Sequence, residues 1–109
     1  MSRGADLARV APVFTALGDP IRLALVTRLS AQGPLSIARL TGGTAVTRQA
    51  VTKHLDVLAG AGLVRGVRQG RERIWELDPR GLEQTRRYLD QISRRWDEAL
   101  ERLRRFVEP

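Results

Sequence analysis

The sequence contains no cysteine, one histidine, one lysine and only five aromatic residues. Without cysteine there is no disulfide, no thiolate metal site, no cysteine nucleophile and no thiol-based redox sensing. The lone histidine, His54, leaves no His-rich metal cluster, and no Ser/His/acid set or phosphate loop points to an enzyme. No apolar run approaches the roughly 18 residues of a membrane span. The first residues, interrupted by Arg9 and Pro12, lack the continuous apolar core of a signal peptide, so cytoplasmic residence is expected.

What is present is arginine. Eighteen of the nineteen basic residues are arginine, Lys53 being the exception, and twelve acidic residues leave a net charge of +7 over 109 residues. That length suits one domain. A composition 42% hydrophobic and 28% charged is that of a globular chain rather than a disordered one. The basic excess fits nucleic acid, an anionic surface or an acidic protein partner. Its placement is more informative, because residues 48–73 carry four of the seven net charges.

Periodicity predicts a helix over residues 5–17, with Leu7, Val10, Phe14 and Leu17 repeating at three- and four-residue steps. Pro12 inside it predicts a kink or a later start. Gly18-Asp19-Pro20 then reads as a stop followed by a start, with Asp19 as N-cap and Pro20 at the first helical position. The second helix turns Ile21, Leu25, Val26 and Leu29 inward and ends near Gln32. A short third helix spans 36–41, with Ile37 and Leu40 inward. A fourth spans 47–61, with Val51, Leu55 and Leu58 as its buried stripe and Gly60 or Gly62 as a left-handed cap. Strands at 63–68 and 72–77 flank Gln69-Gly70-Arg71, a tight-hairpin signal. Asp78-Pro79 opens a last helix over 79–107. The fold class is mainly α with a small β-hairpin, in one domain: a helix-turn-helix at about 36–61, a wing at about 63–77, and flanking first and fifth helices.

Two helices joined by a short Gly-containing turn form a helix-turn-helix, whose second helix lies in the major groove. Here that second helix opposes its apolar stripe with Arg48, Gln49, Thr52 and Lys53, the donor-rich types that base edges and phosphates require. Arginine can fork onto guanine and glutamine can pair with adenine. Thr47 as N-cap directs free backbone N–H groups toward a phosphate. Arg68, Arg71 and Arg73 around the hairpin tip are placed for an adjoining phosphate or the minor groove. His54 has two open readings, a packing or capping residue and a phosphate contact. A small basic RNA-binding or ribosome-associated protein is the main alternative, although the aromatics are few for a stacking platform.

Three ordered motifs carry a family resemblance. Phe14-Thr15-Ala16-Leu17-Gly18-Asp19-Pro20-Ile21-Arg22 resembles the opening of ArsR-type (ArsR/SmtB) winged helix-turn-helix repressors. Thr47-Arg48-Gln49-Ala50-Val51-Thr52-Lys53-His54-Leu55 resembles their recognition helix, and Ala61-Gly62-Leu63-Val64 with Arg68-Gln69-Gly70-Arg71 resembles their passage into the wing. The resemblance implies a homodimeric bacterial transcription factor, usually a repressor, on an inverted repeat near its own promoter. It also places Thr47, Arg48, Gln49, Thr52, Lys53 and His54 at DNA-facing positions. The metal-sensing members' cysteine pair has no counterpart in Leu35-Ser36-Ile37-Ala38-Arg39-Leu40, and the last helix has no histidine. A non-metal-sensing branch with no metal and no cofactor is therefore expected. The carboxylates of that helix are better explained by ion pairs such as Asp90–Arg94 and Glu98–Arg102.

On the last helix, Leu82, Thr85, Leu89, Ile92, Trp96, Ala99, Leu103 and Phe106 step alternately by three and four, a heptad-like seam. With an apolar face on the first helix, it predicts an isologous dimer through Leu7, Val10, Phe14, Leu89, Ile92, Trp96, Leu103 and Phe106.

Overall fold

The computed structural model describes the backbone of residues 3–108 and the side chains of residues 7–108. The elements run α1 (Arg3–Leu17), α2 (Pro20–Gln32), β1 (Leu35–Ser36), α3 (Ile37–Thr41), α4 (Arg48–Gly60), β2 (Val64–Gln69), β3 (Glu72–Leu77) and α5 (Pro79–Val107). The chain bends by 98° between residues 7–17 and α2. Asp19 makes the corner: its carboxylate accepts the Arg22 N–H at 3.0 Å, and Pro20 occupies the first turn of α2. The same Asp-Pro device opens α5, where Asp78 accepts the Arg80 N–H. α1 starts at Arg3 and continues through Pro12, so of the kink or later start expected there the later start is not observed.

The sheet has three strands rather than two. β3 lies between β1 and β2, antiparallel to both, with Leu35 opposite Trp75 and Ser36 opposite Ile74. β1 is two residues long, too short to display an alternating pattern. Ser36 then caps α3, its hydroxyl accepting the Arg39 N–H at 3.3 Å. β2 and β3 join through Gly70-Arg71, with Gln69 opposite Glu72. Gly70 has φ +64° and no non-glycine residue among the described ones has positive φ, the signature of a two-residue type II′ turn.

The core gathers Val13 and Ala16 from α1, Leu25 and Leu29 from α2, Leu35, Leu40, then Val51, Leu55 and Leu58 from α4. Trp75 on β3 closes it, 1% exposed. α1 buries Val10, Val13 and Ala16, while Leu7 and Phe14 face outward. Of the stripe expected from sequence, Val10 is buried and Leu17 packs partly against the core, while Leu7 and Phe14 lie on the neighbouring face. Two overlapping apolar stripes on one helix cannot be ranked by spacing alone.

The passage from α4 into the sheet is tightly bonded. Gly62, at φ +81°, follows the helix; its N–H donates to the Ala59 carbonyl, and the Leu63 N–H donates to the Leu58 carbonyl at 3.0 Å. These are the two bonds of a Schellman motif, and the apolar pair Leu58 and Leu63 lies buried beneath it. Gly62 rather than Gly60 is thus the left-handed residue. The start of α5 rests on this turn: the Asp78 N–H donates to the Leu63 carbonyl, and a Cβ at Gly81 would collide with the Gly62 carbonyl.

α5 seats Leu82 and Thr85 in the body, meets α1 again at Tyr88 and then projects beyond it. Its 29 residues span about 43 Å at 1.5 Å per residue. The radius of gyration is accordingly 17.6 Å, against about 13 Å for a compact chain of this size. Asp90–Arg94 and Glu98–Arg102 do not pair among the described residues. The observed pairs are Glu83–Arg87, Glu101–Arg105, Glu101–Arg104 and Arg104–Glu108, at 3.5–3.9 Å. Exposed pairs of this kind are worth about 0.3–0.5 kcal/mol, too little to select one partner among several in reach.

Two glycine substitutions should move stability in opposite directions. Gly81→Ala drives a methyl into backbone and should cost about 1–3 kcal/mol. Gly60→Ala meets open space on a helix and should add about 0.5 kcal/mol. Urea denaturation of both variants reads the signs.

Candidate nucleic-acid interface

α4 is built to present one face. Its stripe Val51, Leu55 and Leu58 is buried, which leaves Arg48, Gln49 and Lys53 exposed and Thr52 half-exposed on the opposite side. These four side chains line a single shallow concavity. Thr47 caps the helix, its hydroxyl accepting the Ala50 N–H at 3.2 Å while its carbonyl accepts from Val51. The Arg48 and Gln49 N–H groups therefore have no intrahelical acceptor and point out along the axis, where an anion is favoured. The Thr52 hydroxyl donates to the Arg48 carbonyl at 2.9 Å, so its lone pairs remain available as acceptors.

The hairpin adds three cations. Arg68 sits directly opposite Arg73 across β2 and β3, a like-charge pair that disfavours the strand pairing until an anion screens it. Arg71 follows Gly70 at the tip. Among the described residues none of the three forms an ion pair, whereas Arg65 nearer the body is matched by Glu76 at 2.9 Å. Arg73 is not a free tip residue, however. Its guanidinium lies 4.5 Å over the Trp75 ring, in space left by Gly66, where a Cβ would strike it.

His54 points elsewhere. Its Nδ1 lies 3.4 Å from an Arg22 guanidinium nitrogen and 3.8 Å from the Asp19 carboxylate. Arg22 in turn donates from Nε to the Ala16 carbonyl at 2.7 Å. The end of α1, the start of α2 and the middle of α4 are tied through these three side chains. Of the two sequence readings, this geometry serves the packing role at Nδ1. Sequence reasoning gave Arg22 no role; its spacing three residues after an N-cap aspartate was the available signal. The Arg22 backbone N–H holds the Asp19 carboxyl below the ordinary carboxylate range, outweighing desolvation, and the Arg22 and His54 charges add to it.

A second surface is apolar. Leu7 and Phe14 on α1 and Leu89 on α5 are exposed, Ile92 is half-buried, and the Phe14 and Tyr88 rings join the two helices at 6.1 Å. Beyond them Trp96, Leu103 and Phe106 project into solvent, Trp96 at 66% and Phe106 at 88% exposure. Val10 departs from this set: at 6% exposure it is spent within its own chain. Among the described residues, no three His, Asp or Glu side chains come together to hold a metal ion, and no single helix is long and apolar enough to cross a membrane.

A helix-turn-helix followed at once by a basic two-stranded wing defines a winged helix-turn-helix DNA-binding domain. Residues 17–67 match the family model described as a helix-turn-helix domain. The chain is 42% identical over 87 residues to the HTH-type transcriptional regulator Rv2034 of Mycobacterium tuberculosis, covering 80% of this chain and 78% of that one. An ArsR-like transcriptional regulator from Rhodococcus sp. RHA1 superposes with a TM-score of 0.73 at 36% identity, over 93% and 94% of the two chains. The homodimeric winged helix-turn-helix DNA-binding domain Mb0332 from Mycobacterium bovis does so with a TM-score of 0.67 at 26% identity, over 90% and 89%. The chain belongs to the ArsR family of winged helix-turn-helix transcriptional regulators. It is a DNA-binding regulator and not an enzyme.

The depressed Asp19 carboxyl makes a testable statement about pH. A folded pKa below the unfolded value, about 3.9, contributes stability that is complete above that value. The contribution disappears as pH falls through the folded value. Asp19→Asn keeps an N-cap acceptor and loses only the charge. The stability gap between wild type and Asp19→Asn should be fully present at about pH 5 and shrink below about pH 4. Urea midpoints across that range check it, and a gap independent of pH would exclude a role for the charge.

Proposed function

We propose that the chain is a single-domain, homodimeric repressor in the bacterial cytoplasm that binds an inverted-repeat operator near its own promoter. The observation that carries this reading is the exposed face of Arg48, Gln49, Thr52 and Lys53 on a helix whose other face is sealed into the core. In this assignment Arg48 and Gln49 read base edges in the major groove. Lys53 and the free N–H groups after Thr47 hold a phosphate, with Thr52 accepting beside them. Arg68, Arg71 and Arg73 reach an adjoining phosphate or the minor groove, where an anion relieves the Arg68–Arg73 opposition. His54 supports α4 from behind through Arg22 and Asp19.

The exposed apolar surface of α1 and α5 supports the dimer, as does the homodimeric state of the Mycobacterium bovis domain. Pairing through Leu7, Phe14, Leu89, Ile92, Trp96, Leu103 and Phe106 sets two α4 helices on one side of a duplex. Their separation is then about 34–36 Å, one helical turn of DNA. Repression follows from occupancy of the promoter. Regulation by a bound metal is not part of this reading, because the chain supplies no thiolate and one imidazole. An RNA-stacking role is not favoured either, since the sheet's only aromatic, Trp75, is buried.

Fluorescence anisotropy against the gene's own upstream duplex and a scrambled duplex, at two salt concentrations, tests the assignment. Arg48→Ala and Gln49→Ala should each lose roughly 1–3 kcal/mol on the upstream duplex and little on the scrambled one. Arg71→Ala should weaken both duplexes alike and flatten the salt slope by about one. Identical behaviour of the two kinds of variant would reject the division between reading helix and wing.

The dimer is tested separately. Trp96→Glu and Leu103→Glu put a charge into the seam and should yield monomers by sedimentation velocity, with the fold retained by circular dichroism. Dimers of undiminished stability in both variants would reject the α5 seam.

A further inference from the structure

Between α2, the turn after α3 and the first turns of α4 lies a cavity of about 260 Å³. Ile21, Leu25, Leu40, Val46 and Val51 wall it, and its one charged lining residue is Arg28. Ligand sites usually run to roughly 300–1,000 Å³, so this one suits a single two-ring or short-chain molecule. Arg28 is half-buried. Its NH1 donates to the Leu40 carbonyl at 3.3 Å and its Nε to the Gln32 amide oxygen at 3.4 Å. Both bonds are long and both acceptors are neutral, and among the described residues no carboxylate pairs with it. A partly desolvated guanidinium gains most from a carboxylate, which offers two oxygens to its planar donors. Apolar walls with one unmatched cation select an amphipathic acid over a hydrocarbon, and disfavour an amine.

We propose that this cavity binds a small hydrophobic carboxylic acid, aryl or medium-chain alkyl, with its carboxylate on Arg28 and its body against Leu25, Val46 and Val51. The site bears directly on the reading helix. Val46 precedes the Thr47 cap and Val51 belongs to α4 itself. The turn between α3 and α4 contains Gly42 and Gly43, the latter at φ +80°. An occupant wedged against Val46 and Val51 shifts the first turn of α4 relative to α2. It therefore has different affinities for the free and DNA-bound arrangements, and by linkage it alters DNA affinity. This coupling rests on the DNA-binding assignment, whereas occupancy of the cavity does not.

The probe is 2-naphthoate, with 2-naphthol as its neutral match and 2-naphthylmethylamine as its cationic one. Calorimetric titration of the whole chain should show naphthoate binding about tenfold tighter than naphthol, the worth of one charge-assisted hydrogen bond. Methyl NMR should show shifts at Leu25, Val46 and Val51. Arg28→Gln should bring naphthoate and naphthol level. Ala24→Phe, which fills the cavity from an exposed position, should abolish binding while circular dichroism stays native. The proposal is overturned by equal affinity for naphthoate and naphthol in wild type, by wild-type binding in Ala24→Phe, or by unmoved methyls at millimolar probe. Operator titrations with and without saturating naphthoate read the coupling: an unchanged affinity overturns the coupling. Loss of DNA binding in both arms overturns the DNA-binding assignment and leaves the cavity result standing.

Discussion

Burial of Val51, Leu55 and Leu58 is the constraint on which the rest of the molecule depends. Each side chain removed from water contributes about 1.5–3 kcal/mol, and together they set the rotation of α4 about its own axis. Turning the helix by one residue's worth, about 100°, would pull this stripe from under Trp75, Leu29 and Leu40 and drive charged groups inward. The outward aim of Arg48, Gln49 and Lys53 is thus a consequence of the core. Reading geometry is stored in aliphatic packing, and the polar side chains need only be long enough to use it.

The wing is tied to the same core through Val64 and Trp75, with Leu77 packed beside them. Trp75 pairs with Leu35 on one side and Gly66 on the other, so it joins all three strands while sealing the interior. The ring then serves a second purpose on the strand face it shares with Arg73, whose guanidinium rests over it. Gly66 makes room for this stacking, and the glycine would otherwise only weaken a strand. The result is a hairpin whose base is apolar and charge-balanced, by Arg65 and Glu76, and whose outer half sets Arg68, Arg71 and Arg73 against the single carboxylate of Glu72. A gradient of that kind gives the wing a rigid root and an anion-seeking end.

Much of this was legible in the chain because the deciding signals are local. Asp19-Pro20 and Asp78-Pro79 start helices by chemistry that needs no partner from afar, and Gly62 and Gly70 are demanded by backbone sign alone. The α4 stripe was legible because that helix has a single apolar face. α1 has two, and only the packed body decides that Val13 and Ala16 go in while Leu7 and Phe14 stay out. β1 escaped because two residues carry no period. The Nδ1 contacts of His54 escaped for a different reason: its partners Asp19 and Arg22 lie more than thirty positions away. The close seat of Gly81 on Gly62 is likewise a tertiary fact with no local trace.

The long-range tie at His54 matters because of what it connects. One side of α1 offers Leu7 and Phe14 to the outside, the other packs Val10, Val13 and Ala16 into the body. From the Ala16 carbonyl the path runs through the Arg22 guanidinium to the His54 ring on α4 in two hydrogen-bonding steps, 2.7 and 3.4 Å long. In a dimer joined through α1 and α5, this path and the buried stripe leave no flexible loop between the shared interface and the reading helix. The spacing of two reading helices is then a property of packed elements, which shift between discrete arrangements rather than deforming continuously. The turn from Gly42 to Val46 is α4's other attachment, and it holds two adjacent glycines, Gly43 at φ +80°. A molecule bound in the Arg28 cavity, which this turn lines at Thr44 and Val46, would act on the reading helix without separating the subunits.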